Sequence, residues 1–449
     1  MKNKYIDSNF KPFILELEKF SADVKDSGKQ NLLEIALEKP NGSIYKKEFY
    51  VYMDNVNDDM NIYIVKKIVN AILYIIGGYK LYIYGSEIIY NAIKDSYLES
   101  HENEFTRVFM TKIYGQEFTI INSKIKEEKE TVIKIEESFY GNRIGIDLGG
   151  SDIKISLIRN GCVISTKEIK WNPKTSLSLD YHKKILKDVL FDAANTLSEI
   201  DSIGISSAGV IVNNRPMISS LFLNLRDDDL KESKNIFIDL ISKLEEKLNI
   251  KISFKVVNDG DAAALGGAFS HNLSNCLAIA MGTSEASGYV DKNRNLKEYI
   301  SELAFVEIDS SKDAVIDEWS HIKGTGSKYL SQDAVIRLSR KLGIVLPYNE
   351  NRENLEYIQS NYNNDPRIEE VYNMIGVYLG YSLAYYYEFY GFENVLLFGR
   401  VLTGKGGTVI KTQALKILSE HFSRCSNINI ILPDESDRRT GQSLAVALI

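Results

Sequence analysis

Gly145-Ile146-Asp147-Leu148-Gly149-Gly150-Ser151 is the stretch that decides how this chain is read. Arg143 to Leu148 reads as a buried strand, Gly149-Gly150-Ser151 as a tight turn and Asp152 to Ile158 as the returning strand. Glycines in such a turn admit positive φ and let phosphate oxygens approach backbone N–H groups. Ser151 adds a hydroxyl donor, and Asp147, at the end of its strand, is placed to face a hydrated Mg2+. Taken alone, a plain Gly-Gly turn between two strands accounts for the segment as well.

Working outward, the pattern occurs twice. Asn160-Gly161 starts a further hairpin into Cys162 to Ile169, and helices are expected at Tyr181 to Leu197 and Ile236 to Leu248, with a strand at Ser202 to Ile205. Cys276 to Met281 then reads as a strand, Gly282-Thr283-Ser284 as a turn and Ser287 to Val290 as its return. A long helix around Val371 to Tyr390, a strand Asn394 to Phe398 and a helix beyond Thr440 follow. The repetition suggests two α/β lobes facing one another across a cleft. The first third reads as a separate α/β unit. Strands Leu32 to Glu38 and Ser43 to Tyr52 are joined by Pro40-Asn41-Gly42, Ile64, Ile68 and Ile72 recur at helical spacing, and Ser86 is placed to cap a helix after the strand Lys80 to Tyr84. The charged stretch Lys124 to Glu137 is the candidate linker. The division expected is 1–142, 143–275 and 276–449.

Composition narrows the function. The 449 residues are 44% hydrophobic and 26% charged, with a net charge of −7, so the chain has the make-up of a globular protein. The acidic balance argues against coating nucleic acid or anionic membrane. Three scattered cysteines, Cys162, Cys276 and Cys425, supply neither a CxxC zinc site nor a disulfide framework. No stretch approaches the roughly 20 apolar residues of a spanning helix, and the N-terminus has no apolar signal core, so a cytoplasmic location is expected.

Four further segments carry polar side chains at element ends. In Val256-Val257-Asn258-Asp259-Gly260-Asp261, a buried strand runs into a small-residue helix. Asp259 either caps that helix or stands as a carboxylate able to accept a hydroxyl proton. Met281-Gly282-Thr283-Ser284-Glu285-Ala286-Ser287-Gly288 is the second small-residue hairpin. Ser301-Glu302-Leu303-Ala304-Phe305 reads as an apolar strand interrupted by one Glu, and Val395 to Phe398 ends in Gly399-Arg400. In Asp317-Glu318-Trp319-Ser320, an acidic pair flanks an aromatic; it serves either a ligand or a solvated loop. Tyr378, Tyr381 and Tyr385 read as packing, and Arg438 and Arg439 as surface, capping or phosphate-facing groups.

The order DLGGS, NDGDAAALGG, MGTSEASG, a Glu, then a strand ending in Gly resembles the ROK family of repressors, uncharacterised reading frames and sugar kinases, over roughly the last two thirds of the chain. The resemblance implies a two-lobed actin-like ATPase fold (a duplicated ribonuclease H-like α/β fold) with an additional N-terminal α/β domain. It implies an ATP- and Mg2+-dependent sugar kinase in which Gly149, Gly150 and Ser151 contact phosphates and Asp147 lies near Mg2+. Asn258 and Glu302 would bind sugar, Asp259 would be the general base, and Gly282 and Thr283 would grip phosphates. Ser207 and Gly209 resemble part of the loop closing the sugar pocket, and Gly399 part of the adenosine turn. A homodimer and a small-molecule sugar as partner are likewise implied.

The chain departs from the family pattern in three places. Phe305 stands where a sugar- and zinc-binding His is usual and the Cys-x-Cys-Gly cluster is missing, so no zinc is expected. Ser284, Ala286 and Ser287 replace glycines, and Glu285 adds a negative charge that would oppose a phosphate if it pointed at one. Phe398 and Arg400 flank Gly399 where glycines are usual. These departures motivate a sugar-sensing regulator or pseudokinase as the alternative, and a sugar-independent ATPase as a third reading. Residues 1–142 show no basic recognition helix for DNA.

Overall fold

The computed structural model describes residues 6–125, 127–135, 140–197, 199–433 and 435–449, with the side chains of 435–440, Arg438 and Arg439 included, outside the description. The chain folds as two compact units. One comprises residues up to Thr131, Ile279–Ser287 and Tyr299–Leu432; the other comprises Val132–Ala278, Gly288–Glu298 and Pro433–Ile449.

In the first unit the N-terminal hairpin forms as its turn residues require, Gln30–Glu38 against Ile44–Tyr52, with Gly42 at φ 78°. Its sheet runs in the order Ile44–Tyr52, Gln30–Glu38, Lys80–Tyr84, Thr119–Ile121. The helix Asp58–Ile75 buries Ile64, Ile68 and Ile72, the face that helical periodicity marks. Ser86 caps the helix Glu87–Lys94, its hydroxyl accepting from the Ile89 N–H at 3.2 Å. The helix Arg367–Tyr390 is the spine of this unit. Tyr378, Tyr381 and Tyr385 are core residues on it, Tyr385 meeting Phe13 edge-on at 5.1 Å. Asp7 accepts from Tyr378 on that helix at 2.5 Å and from Lys341 at 2.8 Å. Asn394–Phe398 and Asn429–Ile431 pair in parallel.

The second unit is built on a five-stranded sheet ordered Ser253–Asn258, Ser202–Ser207, Asn142–Leu148, Asp152–Arg159, Cys162–Lys170. The first three strands are parallel and the last two antiparallel. Ile144, Ile146, Val189, Leu190, Phe237 and Leu240 join one sheet face to the helices Leu179–Thr196 and Ile236–Leu248 in a common core. The terminal helix Glu435–Val446 approaches so closely that a methyl on Gly145 or Gly204 would fall 1.7 Å from the Ser443 or Val446 carbonyl oxygen. Bare backbone at those two positions is a packing requirement.

Ser301–Phe305 departs from the expected strand. It is an irregular segment entering a single turn of 3-10 helix, Leu303–Phe305. Its N–H groups bond outside any sheet: Ser301 N–H donates to Ile75 O at 3.0 Å and Glu302 N–H to Tyr74 O at 2.8 Å. The C-terminal end of the helix Asp58–Ile75 therefore supplies the partners that a sheet neighbour would have supplied.

Candidate functional site

Within the second unit, the register aligns the ends of the three parallel strands. Asp147 and Val257 flank Ser206, and Leu148 and Asn258 flank Ser207. The carboxyl ends of parallel strands are where open α/β sheets receive ligands. The Ser206 and Ser207 hydroxyls there are fully buried; Ser206 faces the Asp147 carboxyl, whereas Ser207 has no hydrogen-bond partner, unusual for a polar atom cut off from water.

Asp147 is 4% exposed. Burial pushes its carboxyl above the ordinary range, while the Ser206 hydroxyl and the Lys154 ammonium, 3.9 Å from Oδ2, pull the other way. The carboxylate is thus short of compensating charge. That suits a divalent cation shared with phosphates, since Mg2+ uses one or two carboxylates and keeps several waters. Among the described residues no group of three or more His, Cys, Asp or Glu is arranged as an all-protein cage.

Asp259 opens the helix Asp259–Ser270 but does not cap it. Asn258 is the cap, its Oδ1 accepting from Gly260 N–H at 2.6 Å while its Nδ2 donates to Gly209 O at 2.6 Å. Asp259 Oδ1 takes a second, longer bond from the same N–H, at 3.0 Å. Burial first, and the charge of Asp147 second, push this half-buried carboxyl up to about 6, against the pull of that N–H. Gly209, at φ 105°, is fixed by the fold, because a methyl there would sit 2.0 Å from Ile218 O. Ser207 and Gly209 thus lie beside Asn258 along the strand ends and through one hydrogen bond.

The Gly149–Ser151 turn closes with Gly149 N–H donating to Asp152 O at 2.9 Å, and Trp171 Nε1 donates to Gly149 O at 2.8 Å. Contrary to the sequence expectation, neither Gly149 nor Gly150 uses positive φ. At Gly150 a methyl would meet only the Lys174 side chain, at 3.7 Å or more. The exposed Ser151 hydroxyl donates to Asp152 Oδ2 at 2.9 Å.

The first unit holds the remaining sequence candidates. Gly282 N–H donates to Ser284 O at 3.0 Å, and Gly282 O accepts from Gln332 N–H at 2.8 Å. A methyl on Gly282 would come no nearer than 3.9 Å to that Ser284 oxygen. Thr283 is exposed. Gly399, at φ 110°, lies against the Met281 backbone, 2.3 Å from Met281 O for an added methyl. Glu302 is half-buried at the start of its 3-10 turn. Three residues on, Phe305 joins Tyr74, Phe105, Phe109 and Trp319 in an aromatic cluster.

Glu285 is the side chain to which the sequence reading assigned a charge but no direction. It is 4% exposed and turned into the interior of its unit, where burial pushes its carboxyl up to about 8. It is uncharged at neutral pH and adds no anion to the Gly282–Ser284 hairpin. The alternation of the strand Glu285–Val290 carries the signal that places it inward with Ser287, against an expectation drawn from charge alone. Asp317 is likewise absorbed by its own loop, accepting from Ser320 N–H at 2.7 Å and the Ser320 hydroxyl at 2.8 Å. Glu318 is exposed and pairs with Lys328, and Trp319 is half-exposed, its packed side in the aromatic cluster.

Residues 143–296 match the model of the ROK family. Among solved structures the chain is similar to a ROK hexokinase from Thermus thermophilus, at 17% identity and TM-score 0.51, over 68% of this chain and 97% of that one. It is similar to a putative sugar kinase from Cytophaga hutchinsonii, at 16% identity and TM-score 0.51, over 69% and 99%. A ROK family transcriptional regulator, a homologue of the E. coli MLC protein, matches at 17% identity and TM-score 0.52, over 69% and 78%. A search of curated proteins found no match. The fold is that of the actin-like ATPases, with an additional N-terminal region outside the matched part. No helix among the described residues is long and apolar enough to cross a membrane.

Proposed function

We propose, for a chain whose residues 143–296 are a ROK family domain, that the protein is an ATP-dependent sugar kinase with Asp259 as general base. The observation that carries this reading is the set of groups at the parallel strand ends. A carboxyl pushed up to about 6 directly follows Asn258, which stands in register with Ser207, a buried hydroxyl that has no partner. A base near that value is ionised at pH 7 yet basic enough to accept a hydroxyl proton as the oxygen attacks. Phosphoryl transfer otherwise needs positioning and charge neutralisation.

In this reading Asn258, Glu302, Ser207 and Gly209 bind the sugar. Gly149, Gly150, Ser151, Gly282 and Thr283 offer backbone and hydroxyl donors to phosphates, and Gly399 borders the adenosine. Asp147 would hold Mg2+, which when bound neutralises phosphate charge. Gly150 and Gly282 support the reading from a different side: neither uses positive φ and neither is crowded, so folding alone gives no reason for glycine there. An approaching ligand does. Residues 143–275 and 276–449 are taken as the two actin-like lobes and 1–142 as an added domain, in a cytoplasmic homodimer.

The kinase and the regulator are matched at TM-scores of 0.51 and 0.52, so likeness of fold does not choose between them. The interior position of Glu285 weakens the regulator alternative, which rested partly on a charge beside the phosphates. Coupled ADP detection over a panel of hexoses, amino sugars and polyols tests the proposal. Sugar-dependent ADP release is expected. Sugar binding without ADP release would favour the regulator, and sugar-independent release an ATPase.

A further inference from the structure

Three polar atoms in the first unit converge on one point. A methyl built on Gly326 would fall 2.1 Å from Glu285 Oε2, 2.6 Å from Leu303 O and 3.0 Å from Tyr386 Oη. Glu285 is the first residue after the Gly282–Ser284 hairpin, Leu303 directly follows Glu302, and Tyr386 lies on the helix Arg367–Tyr390. We propose that Glu285 is a positioning residue for the sugar site, its carboxyl bracing the Ser301–Phe305 segment, and with it Glu302, against that helix. The assignment to a sugar site rests on the reading of Glu302 given above.

The chemistry of the brace requires an uncharged carboxyl. Oε1 has one long contact, from the Tyr386 hydroxyl at 3.5 Å, and Oε2 is buried with no partner. A carboxylate there would be an ion with almost no solvation. The acid form supplies an O–H donor to a cluster otherwise made of acceptors and a single phenol. Burial holds Glu285 protonated up to about 8. Tyr386 is the titratable group touching it, and its burial keeps the phenol neutral far above that pH. Lys328, two residues beyond Gly326, is engaged by Glu318 and by Asp333 at 3.3 Å.

The other side of the segment is already fixed. Ser301, at φ 49°, donates its N–H to Ile75 O, its carbonyl accepts from the Ser287 hydroxyl at 2.5 Å, and its hydroxyl meets Tyr390 Oη at 3.1 Å. Gly326 and Glu285 close the remaining side, so the brace is where a change in charge would loosen Glu302.

Hydrogen exchange on the unliganded full chain tests the proposal, and its outcome does not depend on whether the chain phosphorylates sugars. A group held near 8 in the closed segment and near 4.5 in an opened one makes opening about tenfold more frequent at pH 9 than at pH 7. Protection of the Ser301 and Glu302 amides, corrected for intrinsic exchange, should fall by about that factor in the parent. It should stay constant in the isosteric Glu285→Gln, or in Glu285→Leu if that variant folds better. Constant protection in the parent, or the same fall in a folded variant, would overturn the brace.

Discussion

Replacing Asp259 by Asn separates what this side chain does for turnover from what it does to the fold. Its carboxyl is pushed from the usual 3.8 up to about 6, so at pH 7 the folded protein carries an ion it would rather protonate. About two units at ~1.4 kcal/mol each set a ceiling of about 3 kcal/mol, and relaxation and water access reduce that to about 1–2 kcal/mol. The sign follows from linkage. A raised folded pKa means that this carboxyl's contribution to stability is full below 3.8 and is lost as pH rises through about 6. Asn keeps the oxygen that accepts from Gly260 N–H but never ionises. Asp259→Asn should therefore match the parent near pH 4 and unfold at higher urea or temperature from pH 7 upward. Turnover should fall by about 10²–10⁴-fold, the usual cost of losing a general base, while calorimetry shows sugar binding retained. Urea titrations at pH 4.5 and 7.5 beside coupled ADP assays check both halves. A variant with parental turnover would refute the catalytic role, and one less stable than the parent at pH 7.5 would refute the buried-charge argument.

Gly150→Ala should leave unfolding free energy within about 0.5 kcal/mol of the parent, since the methyl meets only the Lys174 side chain, yet weaken Mg-ATP binding about tenfold by calorimetry. Gly204→Ala should do the opposite, costing more than about 2 kcal/mol in urea unfolding, because its methyl would lie 1.7 Å from Val446 O. Asp147→Asn should raise the Mg2+ concentration for half-maximal turnover at least about tenfold while leaving sugar affinity unchanged, measured by Mg2+ titration and calorimetry.

Much of this was legible in the sequence because it follows from periodicity and turn chemistry. Ile64, Ile68 and Ile72 mark one helix face, Pro40-Asn41-Gly42 one hairpin, and the strand Asn394–Phe398 has the bounds its apolar run suggests. The Ser301–Phe305 segment was read wrongly because its partners, the Tyr74 and Ile75 carbonyls, lie more than two hundred residues away in sequence. Local pattern cannot show that an apolar stretch will bond to a helix terminus in place of a sheet neighbour. Glu285 was read as an added negative charge, and only the packing of Tyr386, Leu303 and Gly326 around it makes a neutral interior acid. The glycines differ in what the fold asks of them. Gly145 and Gly204 are required by the close terminal helix, whereas Gly150 and Gly282 are left open by the fold.

The most direct test of the account is ADP formation by the parent and Asp259→Asn, measured with Mg-ATP with and without each sugar of the panel. The account predicts release that requires one class of sugar and disappears with the carboxylate. Release indifferent to sugar, or a sugar that binds tightly while both proteins stay silent, would contradict it.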